Sequence, residues 1–62
     1  MNELKFIKSK TGERINPDDI LRYGTIVKDT SFSNTREYII EYEGAYWFLR
    51  KIKGEWVDAF EL

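Results

Sequence analysis

Glu41, Tyr46 and Glu61 are the residues whose types and spacing come nearest to acid–base chemistry. If their segments are adjacent antiparallel strands, the three share one cross-strand row. The two carboxylates then stand two strand spacings apart, roughly 9.6 Å, close to the separation at which an inverting glycosidase seats a water. A solvated row on an outer sheet face is the more economical reading, because nothing nearby builds a pocket. The chain has no histidine and no cysteine, which removes imidazole bases, thiolate nucleophiles, thiolate zinc sites and disulfides. Asp18 and Asp19 fit a helix start better than a metal site, no EF-hand spacing occurs, and the glycines stand singly rather than in a phosphate loop. The expectation is a chain that is not an enzyme and needs no metal or cofactor.

The run Tyr46-Trp47-Phe48-Leu49-Arg50-Lys51-Ile52-Lys53 has the aromatic and basic content of a single-strand nucleic-acid platform. Strand alternation divides it, leaving Arg50 with Tyr46 and Phe48 and sending Lys51 and Lys53 to the side of Trp47. Glu37, Glu41 and Glu61 crowd the first side and would repel phosphate. Residues 32–62 carry four basic and six acidic side chains, net −2, while residues 1–14 carry four and two, net +2. Nucleic-acid binding through Tyr46, Phe48 and Arg50 is therefore the second reading. The first is protein interaction. Ile39, Tyr46, Phe48, Arg50, Val57 and Ala59 form an outward cluster that is too apolar for idle surface, with Glu37, Glu41 and Glu61 as its rim. Its occupant is expected to be a protein partner or a second copy of the chain. The competing expectation is that the first strand or the Phe32 loop covers the cluster as a second layer of core.

The elements that must hold these residues are mostly strands. Leu4–Lys8 reads as a strand, turned at Gly12, with a brief return at Arg14-Ile15. Asn16 is placed as an N-cap, Pro17 as the first helical residue, Asp18 and Asp19 as the first turn, and Ile15 with Ile20 as a hydrophobic staple. Gly24 stands where a C′ glycine belongs, so the helix is expected over 17–23. A strand follows near 25–29 and, after a polar loop at residues 30–35, further strands near 36–43, 45–53 and 55–61. The last three are separated by two-residue loops at Glu43-Gly44 and Lys53-Gly54.

Those loops predict a register. The first pairs Tyr42 with Ala45, Ile40 with Trp47 and Tyr38 with Leu49 on one face. On the other it pairs Glu41 with Tyr46, Ile39 with Phe48 and Glu37 with Arg50. Carried through the second loop without interruption, the register adds Phe60 beside Trp47, Asp58 beside Leu49 and Leu62 beside Ala45 on the first face. It adds Glu61 beside Tyr46, Ala59 beside Phe48 and Val57 beside Arg50 on the second. The first face is the expected core (Tyr38, Ile40, Tyr42, Trp47, Leu49, Trp56, Phe60 and Leu62), covered by Ile7, Ile20, Leu21 and Val27. Lys51 and Asp58 are expected to pair at its rim.

With 62 residues the chain makes one domain, and a chain this small buries only about 60 % of its unfolded surface. Ten aromatic rings supply the bulk of that core. The expected fold is mainly β: a strongly bent antiparallel meander, or partly open barrel, of about five strands with one short helix. In size and hairpin rhythm it resembles an SH3-like barrel, though no motif of that family is present. The alternative is an α+β open antiparallel sheet packed on the helix. Ten basic against eleven acidic residues give a net charge of −1, so no overall field draws the chain to nucleic acid or membrane. Met1-Asn2-Glu3-Leu4 lacks a signal-peptide pattern and no apolar run is long enough to span a bilayer, so a cytoplasmic location is expected. Seven Ile and six Lys against two Ala suit an A/T-rich genome, and the small size suits a bacterial or phage accessory protein.

Overall fold

A computed structural model describes residues 5–62. The order of elements is β1 (Ile7–Lys8), β2 (Arg14–Ile15), α1 (Pro17–Tyr23), β3 (Thr25–Asp29), β4 (Thr35–Tyr42), β5 (Ala45–Ile52) and β6 (Glu55–Glu61). The fold is mainly β, as expected. A four-stranded antiparallel meander, β3-β4-β5-β6, is joined by a separate β1-β2 hairpin and one short helix. The sheet does not close into a barrel; β3 and β6 are its edges. Among the described residues there are six strands against the about five expected, the brief return at Arg14–Ile15 pairing with β1 as a ribbon of its own. Leu4, the first residue of the expected opening strand, lies outside the described residues.

The helix spans the expected residues. Asn16 is its N-cap, with Oδ1 accepting from the Asp18 N–H at 2.8 Å. Ile20 is fully buried and Ile15 packs beside the same cluster. Gly24 has a reason different from the one expected. Its φ of −82° is extended rather than left-handed, so conformational freedom is not what selects glycine there. A Cβ at that position would clash with Ile40 Cγ2 and lie 2.6 Å from the Ile20 carbonyl oxygen and 2.9 Å from that of Glu41. Glycine lets the chain leave the helix and enter β3 directly against β4. The last two chain reversals do need positive φ: Glu43 and Gly44 stand at 50° and 75°, Lys53 and Gly54 at 50° and 83°. Both signs match type I′ turns, whose twist suits two-residue hairpins.

The core lies on one face of the sheet. Ile40, Trp47, Leu49 and Trp56 are buried there under Ile20 of the helix and Ile7 of the hairpin. Two indole hydrogen bonds seat this layer. Trp56 Nε1 donates to Asp18 Oδ1 at 2.7 Å, and Trp47 Nε1 donates to the Tyr42 carbonyl at 3.2 Å. Lys51 lies 4.6 Å over the Trp56 ring with Nζ 3.9 Å from Asp18, so Asp18 anchors the helix to the sheet as well as complementing its dipole. Val27, expected as a core cover, is 56 % exposed. It is the extra residue of a β-bulge in β3, between the Ile26–Ile40 and Lys28–Ile39 pairs.

Candidate functional site

Residues alternate across a strand, so the register decides what the second face of the sheet presents. Between β4 and β5 it is the one expected, with Glu37 opposite Arg50, Ile39 opposite Phe48 and Glu41 opposite Tyr46. Between β5 and β6 it begins as expected, with Ile52 opposite Glu55 and Lys51 opposite Trp56, and then slips by one residue. Arg50 faces Asp58, Leu49 faces Ala59, Phe48 faces Phe60 and Trp47 faces Glu61. Val57 is the unpaired extra residue of this second bulge.

Several placements are corrected by the slip. Ala59 leaves the outward cluster and packs, partly buried, against the core. Glu61 leaves the outward rim for the core side, where its Oε1 accepts from the Lys10 N–H at 2.9 Å and ties down the β1-β2 turn. Phe60 moves the other way, from expected core to the outward face, and is 49 % exposed. Leu62 is likewise exposed rather than core, its N–H donating to the Tyr46 carbonyl. The expected Lys51–Asp58 pair does not form: Lys51 reaches Asp18 and Asp58 reaches Arg50. The signal for the slip was present in the sequence. An uninterrupted register sets the Asp58 carboxylate against Leu49 in the core, whereas one extra residue gives Leu49 a methyl neighbour and Arg50 a counter-charge.

What assembles on the outward face is an aromatic and apolar surface around one guanidinium. Phe48 and Phe60 have ring centroids 5.2 Å apart, tilted by 32°. Tyr46 is 51 % exposed, and Ile39 is half-buried between Lys28 and Phe48. Arg50 lies 5.5 Å over the Phe48 ring. Its Nε donates to Glu37 Oε2 at 2.8 Å and its Nη1 to Asp58 Oδ2 at 3.2 Å. Glu37 in turn accepts from Thr30 Oγ1 at 3.3 Å. This network holds the guanidinium in place, the exposed Arg50–Asp58 pair adding ~1 kcal/mol or less. Beyond it, Ile52 and Val57, with Lys53 and Glu55, line a mostly apolar hollow of about 300 Å³. Of the two expected covers, the described part of the first strand lies on the other face. Ile7 of the hairpin is part of the opposite core, and Phe32 sits on the β3-β4 turn, 59 % exposed.

The acid–base row is dissolved by the same slip, since Glu41 and Tyr46 remain paired while Glu61 stands opposite Trp47. A recess of about 260 Å³ on the hairpin side is lined by Glu13, Glu43 and Glu61 among others, but no group of three or more side chains suited to a metal ion occurs among the described residues. Partial burial, and then the neighbouring Glu43, raise the Tyr42 phenol above its ordinary value, which moves it away from service as a base near neutral pH. Among the described residues no helix is long and apolar enough to cross a membrane. The chain matches no family model, and no curated protein or solved structure matches it at a significant level.

Proposed function

We propose that this chain is a non-catalytic interaction module that receives a protein on the outward face of its sheet. One observation carries the reading: among the described residues the helix and the hairpin both pack on the Trp47 face, while the other face keeps Tyr46 and Phe60 about half exposed beside the partly buried Ile39 and Phe48. Exposed aromatic rings around a planar, held arginine, inside a charged margin, have the composition of an interface hot spot. Phe48 serves as the anchor ring and Arg50 as the orienting group, its fork free to exchange Asp58 or Glu37 for a partner's acceptor. Single-stranded nucleic acid finds the rings here but little free positive charge, because two carboxylates already engage Arg50.

The test is Phe48→Asp, which places a charge in water on the free chain. A partner captured by the wild type is identified, purified and titrated against both forms, with thermal melting run alongside. Loss of binding by a folded mutant supports the reading. Undiminished binding moves the contact elsewhere, and sub-micromolar affinity for single-stranded DNA at physiological salt overturns the choice of partner class.

A further inference from the structure

The β1-β2 hairpin carries a second aromatic patch, of opposite charge. Ile7 points into the core, so Phe6 and Lys8 on either side of it point away. Lys8 pairs with Arg14, and the Arg14 guanidinium lies 4.8 Å over the Phe6 ring. Phe6 is 54 % exposed. Residues 5–14 hold Lys5, Lys8, Lys10 and Arg14 against Glu13 alone, net +3. By register, the outward face holds Lys28 and Arg50 against Glu37, Glu41, Glu55 and Asp58, net −2. Since Ile7 packs on the core face of the sheet, the hairpin of one molecule cannot reach its own outward face.

Two other ways for copies to associate are disfavoured. A two-fold contact of outward face on outward face brings −2 against −2, and like charges across an interface are costly. Extension of the sheet through its edges meets a β-bulge in each edge strand, at Val27 in β3 and at Val57 in β6, a device that blunts edge pairing. Resting on the reading of the outward face as a docking surface, we infer that its occupant is the hairpin of a second copy of this chain. The Phe6–Arg14 pair then packs on Phe48 and Phe60, with Lys8 and Arg14 facing Asp58 and Glu55. Such a contact is heterologous, so it propagates into a ring or an open chain.

Sedimentation velocity over a concentration series tests this with three proteins: wild type, Phe48→Asp (face blocked) and the double variant Lys8→Glu/Arg14→Glu (hairpin blocked). The expected result is a wild-type mass that rises with concentration and falls with added salt, while each variant alone stays monomeric. Mixed in equal amounts, the variants should form a species of twice the monomer mass and stop there, because one supplies an intact hairpin and the other an intact face. Phe60→Ser replaces Phe48→Asp if circular dichroism finds the latter unfolded. A wild type that is monomeric throughout overturns the inference, yet leaves the docking face open to a foreign protein. Self-association that survives in the hairpin variant also overturns it.

Discussion

The two faces of the β4-β5-β6 sheet are built from the same strands by the same alternation, and both are rich in large apolar side chains. One holds Ile40, Trp47, Leu49 and Trp56, each at 2 % exposure or less. The other holds Ile39, Tyr46, Phe48 and Phe60, with Tyr46 and Phe60 about half exposed. Hydrophobicity does not separate them; cover and charge do. The covered face receives Ile7 and Ile20 from elements outside the sheet. Its nearby charges act at its margins as tethers, Asp18 to the Trp56 indole and Glu61 to the hairpin turn. The other face instead sets an ion network at its centre, where Arg50 is clasped by Glu37 and Asp58. A charged group in the middle of an apolar surface costs little while water reaches it and is expensive once it is sealed without partners. That arrangement suits a surface covered only when a partner supplies matching groups.

The largest expected effect separates the faces directly. Trp47→Ala should cost ~3–5 kcal/mol, most of what a chain of this length has at ~0.05–0.15 kcal/mol per residue. Phe48→Ser should cost about 1 kcal/mol, mainly the aromatic pair with Phe60. Urea melts of both variants check this, and equal losses would mean that the two faces do not differ in burial. Next is Gly24→Ala, whose methyl must displace Ile40 or the backbone carbonyls of Ile20 and Glu41. A loss of ~1–3 kcal/mol is expected from overpacking, read by thermal melting, with amide shift changes concentrated on the covered face. No change in melting would show that the helix is not seated as closely as described.

Deletion of Val57 should change stability less. It removes the residue that the ladder leaves unpaired and keeps Trp56 with Lys51, Asp58 with Arg50 and Phe60 with Phe48. The variant should fold with a loss of about 1 kcal/mol or less, of the order of an ordinary substitution, and retain nuclear Overhauser contacts between the two phenylalanine rings. Loss of those contacts would show that the bend at the bulge, rather than the pairing alone, places Phe60. The smallest effect belongs to Asp58→Asn, which should cost a few tenths of a kcal/mol at low ionic strength and less as salt is raised. A loss approaching that of Gly24→Ala would mark the Arg50 network as part of the core rather than of an open surface.

Whatever depends on neighbours along the chain could be read from the residues alone. Asn16-Pro17-Asp18-Asp19 carries its own cap and dipole complement, so the helix was legible residue by residue. Glu43-Gly44 set the β4-β5 register because a two-residue turn leaves only one pairing in which apolar meets apolar and Glu37 meets Arg50. Tertiary structure decided what depends on distant neighbours. The second hairpin has an equally legible turn at Lys53-Gly54, but its register slips at Val57, since Ala59 fits beside Leu49 in the core and the Asp58 carboxylate does not. Gly24 ends the helix where expected, but what selects glycine there is clearance for Ile40 on β4 rather than a left-handed backbone. Which face was to be covered was decided in the same way. Both faces alternate correctly, and only the docking of Ile7 and Ile20, neither belonging to the sheet, buried Trp47 and left Phe48 facing out. Local signals carry pairing and caps because those energies are spent within a few residues; cover is settled by volumes that meet only when the chain is folded.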